Sequence, residues 1–147
     1  KANPSVVYSN RGGYQSKQNY NCRAFPYYDH VRTMMSEFTP LNEFNIDGWW
    51  LNVNEKGDYN VPHTHPNTDL AAIWYITDNE RLLYFQDPLV QNRSNEKANK
   101  AFECKEGDLI VFPSDVPHSV EQHQLDTPRI SVAFNMLVDF TPGFPKN

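Results

Sequence analysis

The apolar positions change period once along the chain, near residue 43. Before it, Val31, Met34, Met35 and Phe38 recur at helical spacing within residues 26–38, which lines one face of a helix. Pro26 suits a first helical turn, where its missing N–H is no loss, and Pro40 closes the segment. The pattern predicts one amphipathic helix whose methionine pair fills core. Further upstream, residues 5–8 are a candidate short strand, and residues 9–16 are turn-rich and punctuated by Gly12-Gly13.

After residue 43 the pattern is that of strands. Residues 44–54 carry Ile46, Trp49, Trp50, Leu51 and Val53 before a turn at Gly57-Asp58. Residues 70–77 are nearly all apolar and read as a buried strand, followed by the turn Asp78-Asn79-Glu80 and a strand over 81–86. Residues 88–100 are polar and aperiodic, a loop that could serve as a lid or simply be solvated. Strands then follow at 101–105, 109–112, 119–123 and 130–138, with a turn at Glu106-Gly107-Asp108. Seven or eight short strands bounded by turn signals predict an all-β sandwich or barrel, here a jelly roll with one or two flanking helices. The length of 147 residues suits one domain over 1–147, with residues 1–42 as the segment that carries the supporting helix.

Composition narrows the function classes. Nine Phe, eight Tyr and three Trp can bury a large core, which argues against disorder. The net charge of -5, with no basic stripe, argues against backbone-driven nucleic-acid binding. No apolar run reaches the length of a membrane span. Cys22 and Cys104 are too few for a disulfide scaffold, so two free thiols in a reducing cytoplasm are expected. The polar start Lys1-Ala2-Asn3-Pro4 has no signal-peptide core, but it also lacks an initiating Met, so it carries no argument about targeting.

Chemistry enters with the histidines. His63 and His65 stand at i and i+2, so in an extended strand their imidazoles share a face, about 7 Å apart at the backbone. Pro62 and Pro66 flank them, as expected at a sheet rim. Later, the turn at Gly107 delivers an apolar strand that ends at a proline-rich corner, where His118 begins the next strand. Three such imidazoles can converge on Fe(II), Zn, Mn, Cu or Ni. His123, in the run Glu121-Gln122-His123-Gln124, and His30, in the helix, read as structural or surface residues. Arg129 opens a near-continuous apolar strand, and a buried guanidinium needs an anion. That anion could be internal, from Asp87, Asp108 or Asp126, or the carboxylate of a bound acid held bidentately.

Together these residues resemble the Fe(II)/2-oxoglutarate-dependent oxygenases, which carry H-x-D/E, a distal His some fifty residues later and a basic residue about ten beyond it. The resemblance is nearer to a subgroup common in marine phages and bacteria. It runs through Ser9-Asn10-x-Gly12-Gly13-Tyr14, Trp50-Leu51-Asn52-Val53-Asn54, His63-x-His65-Pro66, Gly107-Asp108-Leu109, Phe112-Pro113-Ser114, His118 and Arg129-Ile130-Ser131-x-Ala133-Phe134-Asn135. It implies a cupin-like double-stranded β-helix with Fe(II) on His63, His65 and His118. The cosubstrate 2-oxoglutarate would then chelate the metal and set its far carboxylate on Arg129, helped by a hydroxyl from Tyr75, Tyr84 or Ser131. The implied reaction hydroxylates a small-molecule or peptide substrate with release of succinate and CO2, in a bacterial or phage-infected cell. Asn52 and Asn54 could line the cavity and contact substrate or cosubstrate, Asn52 counting among the cosubstrate-binding residues with Arg129, Tyr75 and Ser131, or make ordinary strand-edge hydrogen bonds, whereas Trp49 and Trp50 read as core.

One position departs from the superfamily pattern: His65 stands where a carboxylate is usual, and Asp69 is the nearby acid that could replace or join it. Gly57-x5-His63-x-His65-x3-Asp69 and Gly107-x5-Pro113-x4-His118 also resemble the two cupin motifs. A cupin-type metal enzyme and a non-catalytic ligand-binding jelly roll are therefore the alternatives. Arg129 favours the oxygenase and Asp69 the cupin.

Overall fold

The computed structural model describes residues 4–38, 44–86 and 99–138. In chain order these form β1 (Asn10–Arg11), β2 (Tyr14–Gln15), a short 3-10 turn (Cys22–Ala24), α1 (Tyr28–Phe38), β3 (Phe44–Asn54), β4 (Tyr59–His63), β5 (Leu70–Tyr75), β6 (Asn79–Gln86), β7 (Asn99–Cys104), β8 (Leu109–Pro113), β9 (His118–Val120) and β10 (Arg129–Val138). The strands make two five-stranded sheets, ordered β1-β4-β9-β6-β7 and β2-β3-β10-β5-β8. Every pairing is antiparallel. The fold is the expected all-β double-stranded β-helix with a helical flank.

The β2-β3-β10-β5-β8 sheet is covered on both faces. Along β10, Val132, Phe134, Met136 and Val138 face outward onto Cys22, Phe25 and the Val31 and Met35 of α1. Arg129, Ser131, Ala133 and Asn135 alternate with them and face a cavity between the sheets. Along β5, Ala72 and Trp74 join the outer core, while Ala71, Ile73 and Tyr75 join an inner one with Leu83, Cys104 and Phe112. Burial on both faces explains why these strands read as apolar runs and not as alternating ones. In β3, Asn135 pairs with Gly48 but Met136 with Ile46, so Asp47 is an extra residue that bulges the strand. The bulge lets Phe44 and Ile46, then Trp49 and Leu51, all face outward.

Several boundaries differ from the sequence reading. Residues 5–8 form no strand, and Val7 and Tyr8 are exposed. The side chain of Asn10 competes for that backbone: Tyr8 N–H donates to Asn10 Oδ1 (2.9 Å), and Asn10 Nδ2 donates to Val6 O (3.2 Å). Two short strands, β1 and β2, instead lie inside the segment read as a turn. Strand β5 stops at Tyr75, because Ile76 and Thr77 both direct their N–H to the Ile130 carbonyl (2.9 and 3.3 Å). Strand β9 ends at Val120. The chain beyond it is drawn onto the β3–β4 turn, where His123 N–H donates to Asp58 O and Gly57 N–H to His123 O, each at 2.8 Å. Pro40 and most of the proposed lid lie outside the described residues. Both cysteines are buried free thiols, and among the described residues no helix is long and apolar enough to cross a membrane.

Candidate metal centre

His63 closes β4 and His118 opens β9, and the two are directly paired across the strands. Their ring centroids are 4.2 Å apart. His65 lies beyond the end of β4, so the pleat does not align it with His63 as expected. It reaches the same point because its N–H is tied to the Ser114 carbonyl (2.9 Å) in the corner between β8 and β9. The chain then turns away through Pro66 and Asn67, the latter at φ 62°. The result is a cluster in which the ligand atoms of His63, His65 and His118 all lie within 4.8 Å of one another.

The outer nitrogens fix the tautomers. His63 Nδ1–H donates to Val61 O (2.8 Å), His118 Nδ1–H to Val116 O (3.1 Å) and His65 Nδ1–H to Asn135 Oδ1 (2.9 Å). The three Nε2 atoms are left as acceptors, and His65 Nε2 stands 3.2 Å from His118 Nε2. Two facing lone pairs at that distance repel unless a cation sits between them, so the donor set suits a metal. Burial lowers all three pKa values and keeps the rings neutral. For His118 the value falls to about 3, first through desolvation and then through the neighbouring His63.

The cavity of about 320 Å³ that these rings border extends to Arg129. Strand register builds its floor in transverse rows. Arg129 sits opposite Asn54. One pleat repeat on, Asn52, Ser131 and Tyr75 stand side by side across β3, β10 and β5. The next row is Trp50, Ala133 and Ile73. Arg129 is 1% exposed, and Nη1 donates to Glu121 O (3.2 Å). Desolvation lowers its pKa, while the nearby Tyr75 and Asp58 act in the opposite direction. The internal acids anticipated for it are placed elsewhere: Asp126 pairs with Lys56 at the surface (2.9 Å), Asp108 accepts from Lys105 N–H (2.8 Å), and Asp87 is outside the described residues. Asp58 was not anticipated, because it belongs to a different turn.

Three further expectations are corrected. Asp69 does not reach the imidazoles; its Oδ2 accepts from Val138 N–H (2.8 Å) and ties down the end of β10. Tyr84 faces a separate outer groove with Tyr59 and Ser119, because it is one residue out of phase with the inward Leu83 and Phe85. Trp50 lines the cavity, stacked on His65 at 5.5 Å and 27°, whereas Trp49 packs in the outer core against Phe25 (5.0 Å). His123 stays outside the cluster as a buried structural residue, the first of the two readings given for it, and donates through Nε2 to Thr127 O (2.6 Å). Asn135 was missed as the partner of His65, although its even spacing from Arg129 along β10 was a readable signal. Gln15 and Gln18 also line the cavity, and nothing in the hydrophobic pattern points to them.

Residues 48–135 match the family described as "Putative 2OG-Fe(II) oxygenase". No curated protein matches the chain. Among solved structures, an oxidoreductase of the 2OG-Fe(II) oxygenase family from Burkholderia pseudomallei is 14% identical, with a TM-score of 0.58 over 77% of this chain and 59% of that one. HygX from Streptomyces hygroscopicus, solved with nickel and 2-oxoglutarate, is 11% identical, with a TM-score of 0.64 over 94% of this chain and 74% of that one. A prolyl hydroxylase from Trichoplax adhaerens, solved with a hypoxia-inducible-factor peptide fragment, is 16% identical, with a TM-score of 0.62 over 94% and 70%. The chain spans 59%, 49% and 28% of the first three solved structures it matches. At these identities the structures speak to the fold, whereas the family match takes in β4 to β9 and most of β3 and β10, over more than half of the chain. The chain belongs to the 2OG-Fe(II) oxygenase family.

Proposed function

We propose that the chain is a Fe(II)- and 2-oxoglutarate-dependent dioxygenase that hydroxylates a small-molecule or peptide substrate and releases succinate and CO2. The observation that carries this reading is a cavity with three convergent imidazole acceptors at one end and a buried arginine at the other. His63, His65 and His118 would hold the metal. When bound, Fe(II) with 2-oxoglutarate supplies the oxidising chemistry that replaces a C–H bond by C–OH. Arg129 offers a planar fork to the far carboxylate of the cosubstrate, and Ser131, Tyr75 and Asn52 stand in the adjoining row as neutral hydrogen-bonding groups. Trp50, Ala133 and Ile73 lie between the two ends and keep that stretch apolar. Asn135, Val61 and Val116 hold the imidazoles with their Nε2 lone pairs exposed. The free thiols of Cys22 and Cys104 suit a reducing cytoplasm.

Anaerobic titration calorimetry with Fe(II) and then 2-oxoglutarate tests this reading. One metal per chain is expected, lost in His118→Ala, with 2-oxoglutarate bound only when Arg129 is present. Metal content unchanged in His118→Ala, or cosubstrate binding unchanged in Arg129→Ala, would overturn it.

A further inference from the structure

One side of the cavity is closed by the N-terminal arm, which passes from one sheet to the other. Asn10 and Arg11 pair with Asn60 and Tyr59 of β4, and Tyr14 and Gln15 pair with Val53 and Asn52 of β3. Gly12 and Gly13 make the crossing at φ 73° and 67°. A Cβ on Gly12 would run into the Asp58 carboxylate, and one on Gly13 would lie 2.7 Å from the Val53 carbonyl. The arm is fastened at both ends: Val61 N–H donates to Ser9 O (3.0 Å), Asn60 Nδ2 to Ser9 Oγ (3.0 Å), and Val6 N–H to Gln15 O (2.9 Å). It is therefore a fixed wall, and Tyr8, Gln15 and Gln18 on it border the cavity. Gln18 lies over Gly48, where a side chain would displace it.

The cavity face of the wall is uncharged: Arg11 and Lys17 of the arm are exposed and do not line the cavity. The protein carries 13 Lys and Arg and 18 Asp and Glu, yet among the described lining residues Arg129 is the one member of these classes. It sits at the buried end. Thr64 separates His63 from His65, Trp50 is stacked on His65, Gln18 lies over Gly48, the cross-strand partner of Asn135, and Gln15 extends the row of Asn52 and Ser131. A cation entering here loses its hydration and meets no counter-ion among the described lining residues. An anion is drawn to Arg129 at the buried end, where it competes with the cosubstrate's carboxylate and is not held at the glutamines. A neutral group that both gives and accepts hydrogen bonds meets primary amides able to do the same.

We propose that the arm is the substrate-selecting wall and that Gln15 and Gln18 admit an uncharged amide or hydroxyl group of the substrate while charged substrates are rejected. This rests on the oxygenase reading of the cavity.

The test uses saturation-transfer NMR on the full chain loaded with Zn(II), a diamagnetic stand-in, and 2-oxoglutarate. Four probes are compared: N-acetylalanine methylamide (neutral amide), methyl glucoside (neutral polyol), N-acetylalanine (anion) and alanine methylamide (cation). At least one neutral probe saturates in the millimolar range and binds about tenfold or more tightly than either ion; which of the two it is separates amide from hydroxyl recognition. Gln18→Leu weakens that probe by roughly two- to tenfold, the effect of one hydrogen bond, and leaves 2-oxoglutarate affinity unchanged. Gln18→Glu raises binding of the cation. Gln15→Ala gives a second variant, read with 2-oxoglutarate affinity as well as thermal unfolding because Gln15 shares the row of Asn52 and Ser131. Equal binding of charged and neutral probes, no saturable neutral probe, or insensitivity to both glutamines overturns the proposal. Absence of 2-oxoglutarate binding in the unsubstituted chain instead overturns the oxygenase reading beneath it.

Discussion

The two faces of β10 are built from alternate residues of one strand and meet opposite environments. Val132, Phe134, Met136 and Val138 enter a dry aromatic pack in which Phe25 touches Phe134 edge-on at 5.5 Å. Arg129, Ser131 and Asn135 face the cavity, where Arg129 Nη1 donates to Glu121 O and Asn135 Oδ1 accepts from His65. The outer face stabilises the sheet, and that rigidity lets the inner face keep a buried guanidinium and three neutral imidazoles at fixed spacing. Stability and binding should therefore separate by residue parity. The largest effect belongs to the outer face. Phe134→Ala is expected to cost about 3–5 kcal/mol of folding stability in urea unfolding, with metal stoichiometry per folded molecule unchanged. A loss below about 1 kcal/mol would mean that the outer pack does not carry the sheet.

Arg129→Met puts the same contrast to work from the inside. Arg129 Nη1 donates to Glu121 O and the guanidinium lies near Asp58, so Met at this position leaves those acceptors short of a donor and is expected to lower the urea midpoint modestly. The larger effect falls on 2-oxoglutarate affinity, which calorimetry should show reduced by about 2 kcal/mol or more, roughly thirtyfold. A large fall in stability with affinity retained would invert the assignment of the two faces. Asn135→Ala should act by a comparable factor at the metal end. It removes the acceptor that orients His65 Nδ1, and metal affinity is expected to drop roughly 10- to 100-fold with little change in the cosubstrate's dependence on Arg129. Competition with a chromophoric chelator reads this directly.

The same parity explains which parts of the molecule were legible in the sequence. β10 and β5 were readable because burial on both faces gives long apolar runs, and β3 because its bulge brings Ile46, Trp49 and Leu51 to the same core despite an uneven spacing. Trp50 was misread because its hydrophobicity outweighed its phase with Asn52 and Asn54, a phase that puts it in the cavity. Tyr84 was offered beside Tyr75 because a hydroxyl alone carries no direction; strand phase separates them. The convergence of His63 and His118 depends on a pairing between strands far apart in sequence, and that of His65 on a backbone bond to Ser114. Neither leaves a periodic trace. The arm was least legible, since two-residue strands are too short to show a period.

The smallest expected effect concerns protons on the inner face, and its sign follows from burial. In the metal-free folded chain, desolvation holds His63, His65 and His118 below the ordinary value of 6.5, His118 at about 3. Once unfolded, all three return toward 6.5. Between these values the unfolded chain binds protons that the folded chain refuses, so acid favours unfolding. Stability from this source is fully present above pH 6.5 and declines as pH falls below it, through the folded value of each ring. The outer face contributes no such slope, because Val132, Phe134 and Met136 do not titrate. Urea midpoints of the metal-free protein should therefore fall between pH 7 and pH 5.5, a window above most carboxylate titration. His118→Gln should make the fall shallower, and Val132→Ala should shift the curve down without changing its slope. A flat profile for the unsubstituted chain would mean that the three imidazoles take up protons in the folded state and are not held as neutral acceptors.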